Sequence, residues 1–238
     1  MPDARKHRGA HPSDAQLFAP RHLASLRAAV ADLSWLLSRD YAVNSALKLV
    51  GDRYDLRERQ RLAVVRAAAS DQQVQHRQNT LLPLSEVRGQ RLVIDGFNLI
   101  ITLEAALSGG VIIAGRDGCL RDLSSVHGSY RSVTETETAI QLISAALMPY
   151  QPAAAWWLLD QPVSNSGWLA SRIRDLAAAH HWPWEVEVVL NPDRTICESG
   201  WIALTSDSNV LDGVQHWINL TQAILDQSMP AAWVIDLR

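Results

Sequence analysis

The chain has no apolar run approaching the ~20 residues that a bilayer-spanning helix requires. Its first stretch, MPDARKHRGAHPSDAQ, lacks the apolar centre of a secretory signal, so the cytoplasm is the expected compartment and a membrane is not an expected partner. Cysteine is scarce: Cys119 and Cys197 lie far apart, fit no metal-ligand spacing and read as two reduced thiols. No GxGxxG follows an apolar run, which argues against a dinucleotide-binding fold. Internal repeats and low-complexity tracts are missing as well.

What remains is a globular composition. The 238 residues are 47% hydrophobic and 20% charged, enough for one ordinary domain and a small second one. Charge is unevenly spread. Residues 1–90 carry 14 Lys and Arg against 9 Asp and Glu, while residues 91–238 carry 8 against 16. A basic part joined to an acidic part suggests two modules with different partners, unless the difference is chance drift of solvated charge. Basic surface attracts phosphate backbones.

Residues 1–20, with three prolines, read as a flexible leader. Over residues 21–72 three helices are expected. Leu23, Leu26, Ala29, Val30, Leu33, Leu36 and Leu37 recur at steps of three and four. A short helix runs from Asn44 to Leu49 with Gly51 as its stop, and Asp55 and Glu58 have capping-box spacing ahead of LRERQRLAVVRAAAS. In outline this resembles a helix-turn-helix. Arg57, Arg59 and Arg61, with Arg66, form either a nucleic-acid face or a solvated one. Residues 73–90, polar and irregular, read as a linker.

From residue 91 to 238 strand-like runs alternate with helical patterns: RLVID, WWLLD, WEVEVVL and WIALTSD. Thr134 and Glu137 have capping-box spacing before a helix to about Leu147, and SGWLASRIRDLAAAHH is an amphipathic helix capped by Ser166 or Asn165. QHWINL reads as a short strand, TQAIL as a helix and AAWVIDL as a final strand. This order implies an α/β three-layer sandwich with a mostly parallel sheet, preceded by a small all-α domain.

Three of the runs end alike, on Asp95, Asp160 and Asp207, and Asp212 follows five residues later. In parallel α/β sheets the carboxyl ends of strands share one edge, where ligands bind. One such aspartate is ordinarily a helix cap, but three together repel and raise each other's pKa unless a cation neutralises them. With no CxxC or HxxxH beside them, the ligands are hard oxygens and point to Mg²⁺ or Mn²⁺. Asn98 supplies a supporting amide. Ser164 and Asn165 follow Asp160 at a helix start, and Ser208 follows Asp207. Tyr130 and Arg131, in VHGSYR with His127 and Ser129, are suited to base stacking and phosphate binding, or else to packing on their own core.

VIDGFN at 93–98 and TSDSNVLD at 205–212 resemble the PIN-like nuclease superfamily, especially its NYN branch. The segments at 45–54, 103–110, 126–131 and 159–167 resemble an uncharacterised two-domain family, the domain of unknown function 434 group, with a helical domain followed by a PIN-like domain. The PIN resemblance implies Asp95, Asp160, Asp207 and Asp212 as metal-binding catalytic acids. It also implies a helical Glu, for which Glu104 is the nearest candidate and Glu135 or Glu137 a stand-in. The expected activity is metal-dependent hydrolysis of nucleic acid, RNA ahead of DNA. The alternative is a catalytically silent nucleic-acid- or protein-binding module on the same scaffold. A haloacid-dehalogenase phosphatase is disfavoured because Phe97 stands where its second acid is needed. Nine tryptophans leave room for a homo-oligomer interface.

Overall fold

A computed structural model of the chain describes residues 7–124 and 130–238. The first part is helical: α1 Asp14–Leu17, α2 Pro20–Leu37, α3 Val43–Arg53, α4 Glu58–Ala67 and α5 Asp71–Thr80. Pro20 opens α2, where a missing N–H costs nothing. The periodic stripe Leu26, Ala29, Val30, Leu33 and Leu36 is buried, as its spacing requires. Gly51 does not stop α3. It lies inside the helix, and a Cβ there would sit 2.4 Å from Arg61 Cζ, so the glycine makes room for that guanidinium. α4 starts without the Asp55–Glu58 box; Gln60 Oε1 accepts instead from the Arg57 N–H at 3.1 Å.

α5 takes in residues 73–80, expected as linker. A reciprocal capping box starts it: Ser70 Oγ accepts from the Gln73 N–H at 3.1 Å, and Gln73 Oε1 from the Ser70 N–H at 2.9 Å. Nor is the leader loose throughout. Asp14 is fully buried beneath Arg59, and Arg8 pairs with Glu104.

The second part runs β1 Arg91–Asp95, α6 Gly96–Leu107, β2 Ile112–Ala114, β3 Leu120–Asp122, α7 Thr136–Leu147, β4 Ala154–Asp160, α8 Ser166–His180, β5 Trp184–Val189, α9 Pro192–Ser199, β6 Ile202–Leu204, α10 Ser208–Gly213, α11 Leu220–Ser228 and β7 Val234–Asp236. The main sheet, in order β5-β4-β1-β6, is entirely parallel. Its side chains alternate between two covered faces. Leu92, Ile94, Trp157 and Leu159 pack with α6, α7, α8 and α11, while Val93, Leu158 and Ala203 pack with α9 and α10. QHWINL adds no strand; Trp217 makes single bridges to Leu81 and Ala203.

A second sheet has the order β3-β2-β7, with β2 antiparallel to β3 and parallel to β7. The AAWVIDL strand is therefore real but belongs to this small sheet. Val111, Ile113, Ile235 and Leu237 share one core with Leu26, Leu33 and Val64 of the helical part. The two parts consequently meet over a common apolar interior. No helix among the described residues is long and apolar enough to cross a membrane.

Candidate active site

The chain goes from β1 to β4 to β5 on one side, then crosses the opposite face through α9 and returns as β6 beside β1. The order reverses between β1 and β6, and such a switch point opens a crevice at the carboxyl edge. Asp95 and Asp207 flank it. Asp95 ends β1 and caps α6, its Oδ1 accepting from the Asn98 N–H at 3.4 Å. Its Oδ2 accepts from Thr205 Oγ1 at 2.8 Å, and the same Thr205 oxygen accepts from the Asp207 N–H at 3.0 Å. Asp207 caps α10 through the Asn209 N–H at 2.8 Å. Asn98 Oδ1 accepts from both the N–H and the hydroxyl of Ser206, each at 2.8 Å. Two strand ends are thus laced together by Asn98, Thr205 and Ser206.

Burial pushes the Asp95 carboxyl up to about 7; the Thr205 hydrogen bond opposes this, and the charges of Asp207 and Asp193 add to it. Asp160 is also raised, by burial and then by Asp193 and Asp207. Asp193 is raised by burial and Asp207. Asp193 and Asp207 thus act on both Asp95 and Asp160 along this edge. Among the described residues none of the four is ion-paired.

Asp193 and the lacing hydroxyls of Thr205 and Ser206 were missed in the sequence. Asp193 follows β5 in NPD just as the other acids follow their strands, with Asn191 as helix cap and Pro192 at the first turn. Beside the acids opens a cleft of about 390 Å³ lined by Phe97, Asn98, Thr102, Asp122, Ser206 and Asp207, among others.

Other expected residues lie elsewhere. Asp212 turns away to Arg77 Nε at 2.8 Å and Gln73 Nε2 at 2.7 Å, so its charge is already neutralised. Glu104 lies roughly 13 Å along α6 from Asp95, at 1.5 Å per residue. It is buried among Arg8, Tyr130 Oη at 2.6 Å and Thr136 Oγ1 at 2.5 Å, and does not reach the edge. Glu135 binds His7 and Glu137 binds Arg172. Tyr130 is fully buried, so no base can stack on it; Asn165 Nδ2 donates to its carbonyl oxygen at 2.7 Å. Ser164 is exposed beyond β4, and Ser208 meets Arg121 and Arg77.

Arg57, Arg59 and Arg61 do not form one face, since Arg59 is two residues from each of the others and points roughly 200° away. Arg59 goes to Asp14, and Arg61 to Asp52 and the Leu56 carbonyl. Arg131 is exposed. His127 and Ser129 lie outside the described residues. Trp157 and Trp217 are interior, whereas Trp35 and Trp168 remain about half exposed.

The donor chemistry of the edge, carboxylates with amide and hydroxyl neighbours, suits a hard cation such as Mg²⁺ or Mn²⁺. Among the described residues no group of three His, Cys, Asp or Glu is arranged to hold an ion. Mg²⁺ commonly rests on one or two carboxylates plus water and substrate phosphate, so an open pair such as Asp95 and Asp207 fits it where a closed cage does not exist.

A three-layer α/β unit with an acid-lined switch point, joined to a helical region, defines the class. The chain belongs to the family described as "Domain of unknown function (DUF5616)", whose model matches residues 84–223, and residues 25–79 match "Protein of unknown function (DUF434)". It is 33% identical over 198 residues to "Uncharacterized protein MJ0935" of Methanocaldococcus jannaschii, covering 82% of this chain and 94% of that protein. No solved structure matches it.

Proposed function

We propose that the chain is a metal-dependent nuclease of PIN-like type, acting in the cytoplasm on RNA at the edge formed by Asp95, Asp160, Asp193 and Asp207. The observation that carries this reading is the convergence, at a topological switch point, of four aspartates without an ion-pair partner among the described residues. Structural aspartates elsewhere in the chain, Asp14, Asp117 and Asp212, each have an arginine.

Asp95 and Asp207 would hold Mg²⁺ or Mn²⁺, with Asp160 and Asp193 drawing it in. A bound divalent cation supplies positive charge against the scissile phosphate and makes water more acidic. Asn98 fixes the Thr205–Asp207 loop and so sets the spacing of the two acids. Ser208 presents a hydroxyl beside the cleft, where a ribose-phosphate can approach.

The test is cleavage of mixed single-stranded and structured RNA with Mn²⁺, Mg²⁺ or chelator. Cation-dependent cleavage, lost in Asp95→Asn, is expected. Absence of cleavage on every substrate, with both cations, would overturn the reading in favour of a silent binding module. The open geometry of the acids is the observation favouring that second reading.

A further inference from the structure

A second cleft, of about 620 Å³, opens where the N-terminal segment, α4 and the stretch after residue 130 meet. Five basic side chains line it: His7, Arg8, His11, Arg59 and Arg131. No Asp or Glu is among its described lining residues. The acids that hold three of these bases lie beneath them. Glu104 is fully buried under Arg8, Asp14 is fully buried under Arg59, and Glu135 is far less exposed than its partner His7. Each pair therefore presents its basic member to solvent and its carboxylate to the core.

This layering has a chemical consequence. A guanidinium has five N–H donors in a fixed plane, and a buried carboxylate that takes one edge orients the rest. Arg8 uses Nε on Glu104 and Nη2 on the Arg131 carbonyl at 3.0 Å. It also lies 5.0 Å over the Tyr130 ring, which limits its swing. Such pre-oriented arginines suit phosphate oxygens better than mobile ones.

The cleft also adjoins the one beside the acidic edge. Ser124 lines both it and the 390 Å³ cleft that contains Asn98, Ser206 and Asp207. We propose that the cleft of His7, Arg8, His11, Arg59 and Arg131 binds the phosphodiester backbone of single-stranded nucleic acid and leads it past Ser124 to Asp207. The occupant is single-stranded because clefts of about 620 and 390 Å³ take a few nucleotides of one strand and not a duplex. The direction of travel rests on the nuclease reading; the binding does not.

The experiment measures anisotropy of fluorescein-labelled oligo-uridine on the full Asp95→Asn chain across a salt series. Adding His11→Glu and Arg131→Glu is expected to weaken binding roughly tenfold or more and to lower the salt slope by about 1. Lys48→Glu, on the exposed side of α3, is expected to change nothing. Should the double variant lose its cooperative unfolding transition, Arg131→Gln alone is read instead, with a severalfold loss expected. Equal affinity in the folded variants, tighter binding of the duplex form, or no binding at all would overturn the proposal. Cleavage by the wild type with affinity indifferent to these substitutions rejects the cleft and keeps the nuclease. Cleft-dependent binding without cleavage does the reverse.

Discussion

Asp117 and Asp95 are both buried aspartates, and their surroundings drive them in opposite directions. Asp117 lies between two buried arginines, Arg77 at 2.5 Å and Arg121 at 2.6 Å. Burial alone works to raise its carboxyl, but the Arg121 hydrogen bond and the charges of Arg121 and Arg77 bring it down to about 2. Asp95 has hydroxyl and amide partners and neighbouring acids, and burial pushes it up to about 7. The first is a brace: Arg121 also holds the Ser206 carbonyl at 2.8 Å and Arg77 the Ser208 carbonyl at 3.2 Å, fixing the loop that carries Asp207. The second carries a charge that the fold leaves uncompensated. Two regions a few side chains apart thus separate a paired acid from an uncompensated one by charge balance alone.

The largest effect separating them is on stability. Asp117→Ala leaves two buried arginines without their anion and is expected to cost about 3–5 kcal/mol, read as a fall in the urea midpoint. Asp95→Asn at neutral pH is expected to be neutral or stabilising in the same assay, since it removes an uncompensated charge. A large destabilisation there would erase the contrast.

The pH dependence sharpens it. Asp117, depressed when folded, contributes stability above its unfolded value of about 3.9 that is lost as pH falls towards 2. Asp95, raised when folded, works oppositely. Between about 4 and 7 the unfolded chain has released its proton and the folded chain keeps it, so its contribution falls by roughly 1.4 kcal/mol per pH unit as pH rises. Asp95→Asn is expected to flatten that slope in thermal unfolding measured across this window. Adding Mg²⁺ at neutral pH should raise the melting temperature of the wild type, and do so less in Asp95→Asn.

Smaller effects follow. Tyr130→Phe removes one donor from buried Glu104 and is expected to cost about 1–3 kcal/mol with no change in RNA affinity. Reduced affinity at unchanged stability would return that ring to the surface role its loop suggested. Arg57→Ala, at the exposed start of α4, should change stability by less than about 0.5 kcal/mol.

The buried strands were legible because both faces of the sheet centre are covered, leaving β1 and β4 as nearly continuous apolar runs, while edge strand β5 alternates apolar residues with exposed Glu185 and Glu187. The acids at their ends were legible for the same reason. α5 was not, because its one buried residue is Arg77 and an arginine leaves no apolar stripe. That hidden partner is also why Asp212 read as a site acid. β2 and β3 have three residues each, too few for a period to emerge. Tyr130 read as a surface ring because nothing in its own loop reveals Glu104 as its partner.

The strand β7 bears on how the chain comes off the ribosome. Ile235 and Leu237 complete the apolar interior that Leu26, Leu33 and Val64 begin. The helices made first therefore keep part of their apolar side uncovered until residues 234–237 have been synthesised. During that interval the nascent chain offers a surface for chaperones to cover, and a nonsense codon shortly before residue 234 would leave it permanently exposed.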